Sequence, residues 1–294
     1  MAHKSLEFIA TLLVHLLPHH ACARLMRRLA RVRTSAVKDF LIRRFIARYR
    51  VDMAEARQPD PAAYPDFNSF FTRALAPGAR PLVAGAGEIA CPVDGTVSQA
   101  GAIERGRLLQ AKGIEYTLTS LLGGDGELAD RFVGGGFATL YLSPRDYHRV
   151  HMPFSGVLAE MHYVPGRLFS VNDYSTRHVR NLFARNERLI TLFETAVGPM
   201  AVILVGAFFV AGIETVWTGE VSRRRPQGSW QRYRHGRSVT VELERGEEMG
   251  RFNMGSTVIV LFGPGQAQWT ETLVPGAAVR MGELMGRATV RSEV

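Results

Sequence analysis

The chain has 294 residues, 46% of them hydrophobic and 21% charged, a globular balance that excludes whole-chain disorder and suffices for one large domain or two modest ones. Two cysteines, Cys22 and Cys91, exclude a disulfide framework, and no Cys/His cluster has zinc spacing, so no metal site is expected. The net charge of +9 is confined to the first 50 residues, which hold 11 Lys+Arg against Glu7 and Asp39 and leave 25 residues of each sign in the rest; the charge question is therefore what that arm touches.

In chain order, residues 6–17 (LEFIATLLVHLL) are almost wholly apolar but only 12 long, too short to be obliged to span a bilayer. Over residues 24–50, Leu25, Leu29, Val32, Val37, Phe40, Leu41, Phe45 and Ile46 recur at spacings of three to five between arginines. That pattern predicts helices with one apolar face, broken at Pro18 and at Thr34-Ser35, the second an N-cap candidate. Such an arm suits an anionic lipid surface, with apolar faces in the acyl boundary and arginines at the headgroups. An ordinary amphipathic helix packed on the core is the plain alternative. A secretory cleavage site at Ala21-Cys22-Ala23 is disfavoured because Pro18, His19 and His20 interrupt the approach to it. A nucleic-acid arm would not need so many large apolar residues.

Residues 57–66 (RQPDPAAYPD) contain three prolines and read as a linker between an arm over 1–56 and a body over 67–294. In the body, short β-rich runs alternate with glycine turns: Ala138–Leu142, Met200–Val205, Phe208–Ile213, Val239–Leu243 and Thr257–Phe262. Asn181–Glu194 is the best helix candidate. The Arg-rich stretch Arg223–Arg237 reads as a solvated hairpin or loop. The fold class expected is α+β: N-terminal amphipathic helices followed by a mainly antiparallel β domain with a few helices.

Three segments could carry chemistry. Pro92-Val93-Asp94-Gly95-Thr96 holds an Asp-Gly pair, which is most often just a turn. The segment from Tyr141 to Pro153 sets His148 and His151 three residues apart after an expected strand; a helical turn would gather the rings on one side, whereas a strand would point them apart. Gly255-Ser256-Thr257 is followed by a β-branched run, not by the helix that a nucleophile elbow requires. Asp, His and Ser in this order permit an activated nucleophile, so a serine hydrolase or acyltransferase is one reading.

Several separate segments together resemble the bacterial phosphatidylserine decarboxylases: Phe67–Arg73, Pro92–Thr96, Gln110–Gly113, Tyr141–Pro153, Asn181–Arg188 and Glu248–Phe262. Where that family usually has a short polar residue late in the last strand, this chain has Val260. The resemblance implies a self-processing membrane enzyme. Ser256 would attack the Gly255 carbonyl, and elimination and hydrolysis would leave a β chain of 1–255 and an α chain of 256–294 that begins with a covalent pyruvoyl group. By the same resemblance Asp94, His151 and Ser256 form the processing triad, with His148 the proton donor or headgroup contact. Phosphatidylserine would form a Schiff base with the pyruvoyl group, lose CO2 and leave as phosphatidylethanolamine. Decarboxylation at an amino-bearing carbon needs an electron sink. Pyridoxal phosphate would need a lysine, and of Lys4, Lys38 and Lys112 only the last lies in the body, in no such context. The family also implies a homodimer. The lack of disulfides and of a convincing signal favours peripheral attachment at the cytoplasmic face. A membrane-bound relative that binds lipid without processing is the non-enzymatic alternative.

Overall fold

The computed structural model describes residues 19–207, 212–221, 231–232, 240–253 and 256–289, with backbone alone for 19–20, 231–232 and 256. The apolar run 6–17, most of the Arg-rich stretch, residues 208–211 of one expected strand, and Gly255 lie outside the described residues.

The central element is a large antiparallel sheet. Its inner strands are Arg188–Thr195, Gly198–Gly206, Ser256–Phe262, Gly136–Leu142 and Gly95–Ala102, hydrogen-bonded in that order. Gly156–Val164 adds beyond the first and Ala278–Val279 beyond the last. Of the inner strands, Gly198–Gly206, Ser256–Phe262 and Gly136–Leu142 are near-continuous apolar runs because both faces are covered, whereas Gly95–Ala102 is more polar and half-buried. Successive side chains divide between two cores, as a period of two requires. Ile190, Leu192, Ala201, Ile203, Val205, Ile259 and Leu261 enter one, under the hairpin 107–117 and the short helices Leu118–Leu121 and Leu182–Arg185. Leu189, Phe193, Met200, Val202, Leu204, Val258, Val260 and Phe262 enter the other. That second core is closed by a four-stranded sheet of Gly219–Val221, Ile213–Thr215, Glu248–Phe252 and Arg149–His151. Each such fully buried aliphatic side chain contributes about 1.5–3 kcal/mol. Val260 is fully buried among them, so an apolar residue at that position suits its surroundings.

Asn181–Glu194 is not one helix. It forms a single turn, Leu182–Arg185, and then the strand Arg188–Thr195. The β-branched and aromatic run Leu189–Phe193 is buried on both faces in the sheet, so tertiary packing overrides the helical spacing. Two buried amides pin the turn. Gln110 donates to the Thr176 and Val179 carbonyls and accepts from Leu182 N. Asn186 donates to the Phe169 and Gly206 carbonyls. The segments Gln110–Gly113 and Asn181–Arg188 therefore serve as scaffold, and Asn186 fixes Gly206, the strand neighbour of Ser256.

Helices His19–Ala30 and Ser35–Tyr49 pack against Phe67–Phe71 through Ala30, Ile42 and Phe45. Thr34 occupies the N-cap of the second without a side-chain cap bond. Tyr64, in the Pro-rich segment, is buried in this cluster, and its hydroxyl donates to the Gln58 carbonyl. The opposite faces leave Leu25 and Phe40 each 66% exposed. No helix among the described residues is long and apolar enough to cross a membrane.

Candidate active site

The chain passes between the two sheets twice. Loop 143–148 leads from Gly136–Leu142 into Arg149–His151, and Glu248–Phe252 and Asn253 precede the strand Ser256–Phe262 in sequence. The strands on either side are paired with each other. Ser256 lies opposite Leu142, and Arg251 lies opposite Arg149. Phe252 N donates to the His148 carbonyl at 3.0 Å, so the histidine loop runs beside the strand that leads toward Ser256. The pairing brings together segments more than 100 residues apart in sequence.

Each passage is locked by its own residues. Ser143 N and Oγ both donate to Asp146 at 2.7 Å. Burial pushes the Asp146 carboxyl up, and those two bonds oppose it. In the other, the buried Asn253 donates to Glu214 at 2.8 Å, accepts from Asn68 at 3.0 Å and ties its N–H to the Gly212 carbonyl. Burial pushes Glu214 up, but the bonds from Asn253 and Arg251 outweigh it and hold the carboxyl below its ordinary value. Asn253 thus fixes the backbone two residues before Gly255.

The two histidines face different surroundings, as extended backbone requires. His148 is fully buried, its ring 4.0 Å from the Phe71 ring. Its Nδ1 donates to the Asp146 carbonyl at 2.8 Å, while Nε2 is buried with no partner among the described residues. Burial pulls its pKa from 6.5 to about 3, against the Asp146 bond and with help from the Arg73 charge. It is therefore neutral at pH 7, and the lone pair on Nε2 is open: an acceptor that must take up a proton before it can give one. His151 donates from Nδ1 to the Gly246 carbonyl at 2.8 Å and accepts at Nε2 from the Tyr147 hydroxyl at 3.0 Å. Burial lowers its pKa as well.

Asp94 is held elsewhere. Arg80 clasps both carboxylate oxygens, at 3.0 Å from Nε to Oδ1 and 2.6 Å from Nη2 to Oδ2, and Met281 N donates at 2.9 Å. No hydrogen bond joins Asp94 to His151 among the described residues. Their link is electrostatic, since the Asp94 charge favours protonated His151, and structural, since His151 N donates to the Pro92 carbonyl. Gly95 lets this segment in, because a Cβ there would stand 2.3 Å from the Tyr141 carbonyl. For Ser256 the structure gives the backbone, at the start of its strand between Leu142 and Gly206. Of the two lysines described, Lys38 bonds to Asp39 and the Ala62 carbonyl, and Lys112 is exposed in the turn of the 107–117 hairpin. Among the described residues no group of His, Cys, Asp or Glu is placed to hold a metal ion.

Sequence reasoning missed Arg80, Tyr147, Asp146 and Asn253 as parts of this site. Ser143-x-x-Asp146 is a turn signature that could have been read. Nothing near Arg80 announces a partner 14 residues away.

The molecule is thus a mainly antiparallel β-domain with a buried histidine, His148, next to the strand that leads toward Ser256, and with basic amphipathic helices packed on it. Comparison with known proteins is definite. The family model described as phosphatidylserine decarboxylase matches residues 67–287, and a second, described as PSD, matches residues 9–50. The chain is 57% identical to the phosphatidylserine decarboxylase proenzyme of Bordetella petrii, covering 91% of this chain and 93% of that protein. It is 56% identical to that of Ectopseudomonas mendocina (93% and 96%) and 54% identical to that of Pseudomonas aeruginosa (97% and 98%). The chain belongs to the phosphatidylserine decarboxylase family.

Proposed function

We propose that the protein converts phosphatidylserine to phosphatidylethanolamine and CO2, after cutting its own chain between Gly255 and Ser256. Family membership carries the reading of the reaction. The observation that supports placing it at Ser256 is the strand pairing on either side, which sets Ser256 opposite Leu142 and bonds Phe252 N to the carbonyl of His148, whose Nε2 is open.

In this reading the Ser256 hydroxyl adds to the Gly255 carbonyl, the peptide becomes an ester, and loss of the serine α-proton breaks it. His151 is the base for these proton transfers. Asp94 supports it through its field, and Tyr147 holds its Nε2 until it is needed. Elimination would leave dehydroalanine at residue 256, which water converts to a pyruvoyl group with loss of ammonia; that group would supply the ketone that joins the substrate amine with loss of water and the sink for the electron pair as CO2 leaves. The fully buried His148, with Nε2 unfilled, is an acceptor suited to serve such a group. His148 would take the proton that the substrate ammonium gives up and return it to the carbon that lost CO2, and water would then release the product amine.

The arm supports action at a lipid surface. Leu25 and Phe40 face outward, Arg24, Arg28, Arg43 and Arg44 are exposed beside them, and an apolar groove of about 470 Å³ opens between Met26, Leu29, Leu41, Phe45 and Tyr49. Each basic residue near an anionic surface contributes about 1 kcal/mol, enough in sum for peripheral attachment. We place the protein at the cytoplasmic face of the cell membrane. The test is purified protein supplied with phosphatidylserine vesicles. Ethanolamine lipid and CO2 should form, and Ser256→Ala should abolish both cleavage and turnover. An active, uncut Ser256→Ala protein would refute the reading and favour a different nucleophile.

A further inference from the structure

Arg73 lies on the segment after the short helix Phe67–Phe71 and is 5% exposed. Its guanidinium sits over the Phe70 ring at 5.4 Å, and one nitrogen donates to the Arg145 carbonyl at 3.3 Å. The other two, Nε and Nη1, are buried without any partner among the described residues. Among the described residues no carboxylate forms an ion pair with it, and Asp94, Asp146 and Glu55 act on it only through their charge. A buried guanidinium with unfilled donors is costly unless an anion completes it.

Arg73 lines a cavity of about 350 Å³. Asp94, Asp146, Tyr147 and Gly95 line it too, so it adjoins the candidate active site. The carboxylates around it have other partners: Asp94 and Glu55 are held by Arg80, Glu55 also by Arg280, Asp146 by Ser143, and Asp52, exposed at the rim, accepts from Ala54 N. Thr96, Tyr141 and Thr257 lie in one row across three adjacent strands, so the cavity wall at Thr96 is about 10 Å from the residue that follows Ser256. That is a distance on the scale of a lipid headgroup. Arg149 and Arg185 are poorer candidates for an anion: Arg149 is paired with Glu248 at 2.6 Å, and Arg185 lies over the Phe169 ring.

We propose that Arg73 is the substrate-binding residue for the headgroup phosphate, the edge formed by its unfilled Nη1 and the neighbouring Nη2 closing on two phosphodiester oxygens in this cavity. The proposal rests on the decarboxylase reading for its substrate and on the unfilled donors for its site. Arginine suits a phosphate because its planar fork matches two oxygens at once. Phosphate is favoured over the serine carboxylate for a chemical reason. The carboxylate loses its charge as CO2 leaves, so a cation held to it would stabilise the ground state against the transition state. The phosphate is unchanged through the reaction, and binding it is uniform. Its loss should appear in KM and leave kcat alone.

The test compares the full chain with Arg73→Met and Arg73→Lys. Arg73→Met should still cleave itself and should show a KM for short-chain phosphatidylserine raised about 10- to 100-fold, the worth of a charge-assisted pair, with kcat little changed. Arg73→Lys should fall between. Inorganic phosphate should inhibit the wild type competitively and raise its melting temperature, and both effects should vanish in Arg73→Met. Failure of both variants to cleave would overturn the proposal by making Arg73 structural. An unchanged KM alongside lost phosphate binding would overturn it by making the site one for the free ion only. A fall in kcat at constant KM would point to the carboxylate and also overturn it. A wild type that binds phosphate through Arg73 but does not decarboxylate would sink the functional reading and leave the anion site standing.

Discussion

His148→Asn tests the central electrostatic statement about the site. Asparagine places an N–H where Nδ1 stands, so it can still donate to the Asp146 carbonyl, but it does not titrate. In the folded protein His148 binds a proton only near pH 3, whereas in the unfolded chain it does so near 6.5. A lowered folded pKa means that the unfolded state holds the extra proton. The stability is then complete above pH 6.5 and is lost as the pH falls toward 3. At 1.36 kcal/mol per unit, this one ring removes about 2 kcal/mol of stability between pH 7 and pH 5. Burial lowers His151 and His162 too, but both remain in the variant, so their contribution cancels in the comparison. The assay is urea unfolding at pH 7, 6 and 5 for both proteins. The wild type should lose about 2 kcal/mol more than His148→Asn over that range. Parallel losses would refute the account, because they would mean that His148 is solvated and already titrates near its ordinary value.

Other expectations follow from the same geometry. Tyr147→Phe frees the Nε2 of His151 from a hydrogen bond worth about 1 kcal/mol, so self-cleavage should run up to about fivefold faster; slower cleavage in a folded protein would make the hydroxyl a relay instead. His148→Ala should spare self-cleavage more than turnover, read as chain cutting on a gel against CO2 release, and equal losses would contradict the division of roles between the histidines. Leu25→Asp with Phe40→Asp should weaken sedimentation with anionic vesicles at least tenfold while leaving cleavage intact, and unchanged sedimentation would remove the arm from the membrane.

The sequence exposed the fold most clearly where packing and local pattern agree. Thr257–Phe262 and Met200–Val205 are runs rich in β-branched residues and free of charge, and both become inner strands. The run Leu189–Phe193 has the same character, but it sits behind residues with helical spacing, and only the sheet settles its conformation. Asp94, His148, His151 and Ser256 stood out as residue types in suggestive company. Their arrangement did not, because it depends on strand pairing between distant segments. Nor could spacing show that Arg80 holds Asp94, that Tyr147 occupies the lone pair of His151, or that burial keeps His148 neutral. These are properties of enclosure and of partners far away in the chain. Arg73 is the sharpest case: FNSFFTR stood out only as a segment resembling the family, and what marks its arginine is burial without an ion-pair partner among the described residues.

The most direct measurement is the intact mass of purified protein that is demonstrably turning over phosphatidylserine. The account requires two chains that meet between residues 255 and 256, the smaller lighter by one ammonia than a chain starting with an ordinary serine. Undivided full-length protein with full activity would contradict it.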